Sequence, residues 1–203
     1  MKIICIGRNY AAHAKELSNE VPKNPVFFLK PDSALLQKGK PFYIPDFSDE
    51  IHYEVELVIK IKRLGKNIGK KFAHRYYDEL GIGIDFTARD IQRECKEKGL
   101  PWEIAKAFDH SAVIGDFVSK SKFENLEDIE FSLLKNGKVV QLGNSANMLF
   151  KVDEIISYVS KFMTLKIGDM IFTGTPAGVG AVAIGDHLEA FIGEDKMLDC
   201  EIK

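Results

Sequence analysis

The sequence predicts an α+β domain, rich in β-structure, whose mixed sheet rolls around one core. Two patterns carry this expectation. Ten short apolar or alternating runs read as strands, whereas helical periodicity recurs only briefly and without the strand–helix alternation of a doubly wound fold. No repeat, low-complexity tract or Ser/Pro-rich linker divides the 203 residues, so one domain spanning 1–203 is expected.

The strand-like runs fall at 2–6, 26–29, 51–61, 81–85, 112–118, 131–134, 139–142, 170–173, 187–192 and 197–202. A short helical segment, 10–17, follows the first. Between the runs at 131–134 and 139–142 stand Asn136 and Gly137, a pair suited to the two positive-φ positions of a type I′ hairpin turn. A helix should begin near Thr87, whose spacing to Asp90 resembles a capping box, and stop at Gly99 before Pro101. Another should follow Asp153, with Ile155, Ile156, Val159 and Phe162 or Met163 forming its apolar stripe.

Composition narrows the function classes. Hydrophobic residues make up 45% and charged residues 29%, the balance of a soluble globular protein. The formal net charge of -2 supplies no basic field, which argues against a nucleic-acid partner. No apolar stretch is long enough to suggest a membrane span, and Met1 to Gly7 does not resemble a targeting sequence. Cys5, Cys95 and Cys200 are odd in number and far apart, which suits a reducing cytoplasm and no disulfide framework.

Glu54 and Glu56 are two apart on a strand-like run, so both carboxylates project to one face. If that face is buried, like charge and lost hydration demand compensation, and a hard divalent cation provides it. Asp85 ends the run Gly81-Ile82-Gly83-Ile84-Asp85 and is a candidate third oxygen ligand. His52 shares the face and is a rival ligand that would tilt preference toward transition metals. Alternation equally permits the opposite reading, in which both glutamates line a solvated face.

Further candidates surround this set. His13 and Glu16 are three apart, neighbours on a helical turn, as in an imidazole base oriented by a carboxylate or in a plain surface contact. Lys106 sits among apolar residues, either to stabilise an anion or to snorkel from a loop. Arg89 and Gln92 could face the site or solvent. The run Gly174-Thr175-Pro176-Ala177-Gly178-Val179-Gly180 lacks a P-loop ending, so it reads as a tight loop or as a cradle for a carboxylate.

In chain order, Gly7-Arg8-Asn9-Tyr10 with His13 and Glu16, Phe28-Leu29-Lys30-Pro31, His52-Tyr53-Glu54-Val55-Glu56-Leu57, Asp85-Phe86-Thr87-Ala88-Arg89-Asp90, Gly99-Leu100-Pro101-Trp102, Ala105-Lys106 and the 173–180 glycine-rich segment together resemble the fumarylacetoacetate hydrolase family. The likeness is closest to its short, single-domain acylpyruvase and oxaloacetate decarboxylase branch. It implies a β-rich fold with a rolled mixed sheet, a homodimer, and Mg²⁺ or Mn²⁺ held by Glu54, Glu56 and Asp85. It further implies a His13–Glu16 dyad on a mobile lid over 8–24, an active-site Lys106, and substrate contacts from Arg8, Arg89, Gln92 and Thr175.

The activity expected on this basis is metal-dependent C–C hydrolysis of a 2,4-dioxo acid, such as acetylpyruvate or fumarylpyruvate. His13 would activate water, and Lys106 would stabilise the pyruvate enolate. Decarboxylation of oxaloacetate, or isomerisation or hydration of a related 2-oxo acid, is the alternative.

Overall fold

The computed structural model describes residues 1–16 and 21–203. The elements run β1 (Ile3–Gly7), α1 (Ala11–Glu16), β2 (Val26–Lys30), β3 (Leu35–Leu36), β4 (Ile51–Tyr53), β5 (Val55–Ile61), α2 (Lys70–Ala73), β6 (Tyr77–Asp85), β7 (Thr87–Ala88), α3 (Arg89–Lys98) and α4 (Glu103–Lys106). They continue through β8 (Ala112–Ser119), β9 (Glu130–Lys135), β10 (Lys138–Asn144), α5 (Val152–Val159), β11 (Met170–Phe172), β12 (Gly180–Ala181), β13 (His187–Ile192) and β14 (Asp195–Glu201).

A seven-stranded sheet of order β2-β1-β11-β5-β6-β8-β3 forms the frame. It is mixed: β1 pairs parallel with β11 and β3 with β8, while its other neighbours run antiparallel. A four-stranded sheet, β10-β9-β13-β14, packs across it through β14 and β13 against β6 and β8. A three-stranded ribbon, β12-β4-β7, closes one end. The curled sheets enclose an apolar core that includes Phe42, Leu57, Ile59, Ile82, Phe86, Phe131, Leu133, Ile156 and Leu188. This is the β-rich α+β domain with a rolled mixed sheet that the strand pattern predicts. Among the described residues no helix is long and apolar enough to cross a membrane.

The hairpin turn forms as expected, with Asn136 at φ 53° and Gly137 at φ 75°. Gly99 caps α3 in the left-handed conformation, where a side chain would be strained. All three cysteines are buried and unpaired.

Three expectations need correction. The run 51–61 is not one strand: it breaks at Glu54, and its halves join different sheets. At the break the Val55 N–H leaves the ladder and donates to Gln141 Oε1 at 2.9 Å, while the Glu54 carbonyl accepts from Asp85 N. Secondly, Thr87 caps no helix. It pairs with His52 in the β4–β7 ribbon and donates its hydroxyl to the Asp85 carbonyl, and α3 starts two residues later without a side-chain cap. Thirdly, the helical turn over 10–17 begins at Ala11, because Tyr10 bridges to Met148; the expected end at Leu17 lies outside the described residues.

Candidate metal centre and active site

The centre forms where β4 parts from β5 and β6 ends. Glu54 occupies the break, Glu56 points inward from β5, and Asp85 is the last residue of β6. All three are buried, at 5%, 2% and 1% exposure, which removes the reading of a solvated strand face. Tyr53, Val55 and Leu57 are buried as well, so the run is enclosed on both sides rather than amphipathic. One carboxylate oxygen from each acid lies within 4.8 Å of those from the other two.

The acids are met by cations from distant elements. Lys106 donates to Glu54 Oε2 and to Asp85 Oδ2, each at 2.8 Å. Arg89 donates to Glu54 Oε1. Lys30, fully buried, places Nζ 2.7 Å from Asp85 Oδ1 while donating to the carbonyls of Phe86, Lys106 and Ser111 and to the Ser111 hydroxyl. Among the described residues Glu56 has no cation partner and accepts only the Gly174 N–H, at 2.6 Å. Gly174 takes φ +102°, and a Cβ there would stand 2.7 Å from Asn9 Cβ, so this donor requires glycine.

The electrostatics follow from this uneven pairing. Burial opposes ionisation of Glu54, yet the Lys106 ammonium and Arg89 guanidinium outweigh it and hold the carboxyl well below its usual range. Burial, then the Asp85 and Glu54 charges, push Glu56 well above that range. For Lys106 burial works toward the neutral amine, but Asp85 and Glu54 overcome it and keep the ammonium charged.

The donor set fits a hard divalent ion. Its ligands are all oxygen, one acid is short of positive charge, and Asp85 Oδ1, although close to Lys30, has no aligned hydrogen bond among the described residues. His52 stays outside the set: Glu50 lies 2.9 Å from its Nε2, and Arg89 Nε donates to its Nδ1 at 3.4 Å.

Above the carboxylates opens a cleft lined by Arg8, His13, Phe28, Arg89, Gln92, Lys96, Trp102, Lys106 and Thr175. His13 Nδ1 is 3.2 Å from Glu16 Oε2, and a carboxylate can only accept, so Nδ1 carries the proton and Nε2 is the basic nitrogen of the neutral ring. Glu16 also accepts from Gly178 N at 3.1 Å, which ties α1 to the glycine-rich loop. That loop therefore spends its Gly174 and Gly178 N–H groups on the protein's own carboxylates rather than on a ligand. Thr175 is buried and accepts from Gln141 Nε2 at 2.9 Å, leaving its own hydroxyl proton to donate. Gln92 is turned toward Arg89, whose guanidinium donates to Gln92 Oε1 at 2.6 Å. Lys106 does not snorkel to solvent; it is 3% exposed with its ammonium 5.2 Å from the centre of the Phe28 ring.

Arg8, His13, Glu54, Glu56, Asp85, Arg89, Gln92, Lys106 and Thr175 thus line one cleft, Glu16 joins it through His13, and the rival ligand His52 does not line it. Lys30, Asn9 and Gln141 are additions. Lys30 carried the same signal as the glutamates, a charge at an inward position of an apolar strand. Asn9 and Gln141 carried none: their buried amides staple Phe150 and Thr173, and Val55 and Pro176, only once the loops have met.

Buried acids at the mouth of a curled mixed sheet, faced by a lysine and a histidine–glutamate pair, form an all-oxygen donor set that fits a divalent cation. The chain belongs to the fumarylacetoacetate hydrolase family: the family described as fumarylacetoacetate (FAA) hydrolase C-terminal matches residues 2–203. Mitochondrial oxaloacetate tautomerase FAHD1 of Rattus norvegicus is 44% identical over 190 residues, covering 94% of this chain and 86% of that protein. Mitochondrial oxaloacetate decarboxylase of Dictyostelium discoideum is 44% identical over 192 residues, covering 94% and 88%. The crystal structure of fumarylpyruvate hydrolase from Pseudomonas aeruginosa in complex with Mn²⁺ and pyruvate superposes with a TM-score of 0.94 at 36% identity, covering 100% of this chain and 89% of that one.

Proposed function

We propose that the protein is a divalent-metal-dependent enzyme of oxaloacetate, catalysing proton transfer between C3 and the C2 oxygen, that is, keto–enol tautomerisation. The observation that carries this reading is that the basic nitrogen of His13 and the charged Lys106 line one cleft with the three carboxylates. Mg²⁺ or Mn²⁺, held by Glu54, Glu56 and Asp85, would supply a Lewis acid for a 2-oxo acid.

The protein's own groups do the rest. Lys106 donates toward the oxygen that gains charge as the C3 proton leaves. His13 Nε2 takes the C3 proton and delivers it to the C2 oxygen, completing the enol and leaving the imidazole neutral again, and Glu16 holds the ring in the required tautomer. The link from Glu16 to Gly178 supports α1 as a lid that excludes water when docked. Of the proposed lid over 8–24, residues 17–20 lie outside the described residues.

A second reading is hydrolysis of an acylpyruvate. The same dyad supports it, because a histidine oriented by a carboxylate also suits deprotonation of water. Metal-driven decarboxylation of oxaloacetate needs neither base nor water.

The test is a panel: decay of the oxaloacetate enol, pyruvate release from oxaloacetate, and cleavage of acetylpyruvate and fumarylpyruvate, each with EDTA, Mg²⁺ or Mn²⁺. Metal-dependent tautomerisation should have the highest kcat/KM. A higher value for acylpyruvate cleavage would replace the tautomerase by the hydrolase.

The exposed apolar side chains Leu29, Phe47 and Ile104, around one groove, support a homodimer. Ile104→Glu should then elute as a monomer in size-exclusion chromatography. The unpaired buried cysteines support residence in a reducing compartment, the cytoplasm.

A further inference from the structure

Helix α3 brings Arg89, Gln92 and Lys96 to one face through i, i+3 and i+7 spacing, and all three line the cleft. The cations around the cleft are used differently. Arg89 is spent on Glu54, and Lys106 and Lys30 are spent on Glu54 and Asp85. Lys96 makes no ion pair among the described residues; its ammonium is steadied 5.7 Å from the centre of the Trp102 ring.

Arg8 faces the same space from the end of β1. Its Nε is buried without a hydrogen-bond partner among the described residues, and its backbone holds φ 59°, a conformation that non-glycine residues adopt at a cost. A cleft wall bearing two cations without carboxylate partners among the described residues is short of an anion.

We propose that Arg8 and Lys96 bind a second carboxylate of the substrate, so that the cleft selects an oxo-dicarboxylate over a 2-oxo acid whose far end is neutral. The proposal rests on the reading that the substrate is a small 2-oxo acid. Its physical basis is that a partly desolvated ammonium and guanidinium repel one another until an anion lies between them. Burial first, then the nearby charges of Arg89 and Arg8, lowers the Lys96 ammonium to about 8. Oxaloacetate supplies the missing charge at its C4 carboxylate; acetylpyruvate presents a methyl ketone there. Lys96 is in this sense a specificity-determining residue, separate from the groups that move the proton.

The metal-loaded enzyme and its Lys96→Gln and Lys96→Arg variants, assayed with oxaloacetate and acetylpyruvate, test this. The kcat/KM ratio of oxaloacetate to acetylpyruvate should fall at least about tenfold in Lys96→Gln, equivalent to about 1.4 kcal/mol. That loss should appear in KM rather than kcat, and Lys96→Arg should restore most of it. Equal losses for both substrates, or none for oxaloacetate, would overturn the proposal. If the wild-type enzyme turns over neither acid, the function reading fails, and calorimetry with unreactive ligands decides the present one. The Mg²⁺-loaded protein should bind L-malate at least about tenfold tighter than 2-hydroxybutyrate, with the preference lost in Lys96→Gln. Equal binding of the two by the wild type would overturn it.

Discussion

Lys30 Nζ lies 2.7 Å from Asp85 Oδ1 in a fully buried ion pair, and the same ammonium gathers the carbonyls of Phe86, Lys106 and Ser111. One side chain on β2 therefore sets both an acid of the carboxylate cluster and the backbone that presents Lys106. Removing Lys30 leaves Asp85 with Lys106 as its remaining cation partner, and breaking a buried pair from one side costs about 3–5 kcal/mol. Lys30→Met should unfold at markedly lower denaturant concentration than wild type, with metal-stimulated turnover lost in the fraction that remains folded. A chemical-denaturation curve unchanged in midpoint would contradict this role.

Glu56 makes the metal response depend on pH. Its folded-state carboxyl is raised above the ordinary range by burial and by Asp85 and Glu54. Between the unfolded carboxyl value, about 4.3, and the raised folded value, the native protein holds a proton that the unfolded chain has lost. Stability from this group is therefore present at low pH and declines as pH rises across that window. Glu56→Gln mimics the protonated acid. In EDTA its melting temperature should gain on wild type as pH increases, a trend that differential scanning fluorimetry would follow.

Metal uptake must release that proton, so the affinity of wild type for Mg²⁺ or Mn²⁺ should rise with pH. Titration calorimetry in two buffers of different ionisation enthalpy would report the release directly. No buffer dependence would mean that Glu56 is already ionised.

His13 separates binding from chemistry. His13→Ala should lower tautomerisation by about 10²- to 10⁴-fold, the usual contribution of a positioned base, while thermal stabilisation by Mg²⁺ persists. Glu16→Gln should show a smaller loss, because it still reaches Gly178 but no longer fixes the imidazole tautomer. A full-rate His13→Ala enzyme would favour metal-driven decarboxylation.

Gly174 tests the loop. Its φ of +102° and the 2.7 Å approach to Asn9 Cβ leave no room for a methyl group. Gly174→Ala should destabilise by about 1–3 kcal/mol through backbone strain and displace the N–H that serves Glu56. An unchanged melting temperature with undiminished Mg²⁺ binding would show that the loop relaxes freely.

Much of this was readable in one dimension because local covalent geometry is enough to decide it. Alternation places Glu56 on an inward position of β5, positive φ calls for Asn136 and Gly137, and a left-handed cap calls for Gly99. Spacing along a helical turn joins His13 to Glu16. What spacing leaves open is burial, since an alternating strand has the same sequence whether one face or both are covered. Glu54 and Lys106 are 52 positions apart, and Lys30 and Asp85 meet only because β1, β11, β5 and β6 stack in one sheet. The sequence by itself determined the longer strand runs, the Asn136–Gly137 turn and the carboxylates available. Only the tertiary structure decided which charge neutralises which, because an ion pair between distant segments is set by sheet register and desolvation, and neither is encoded locally.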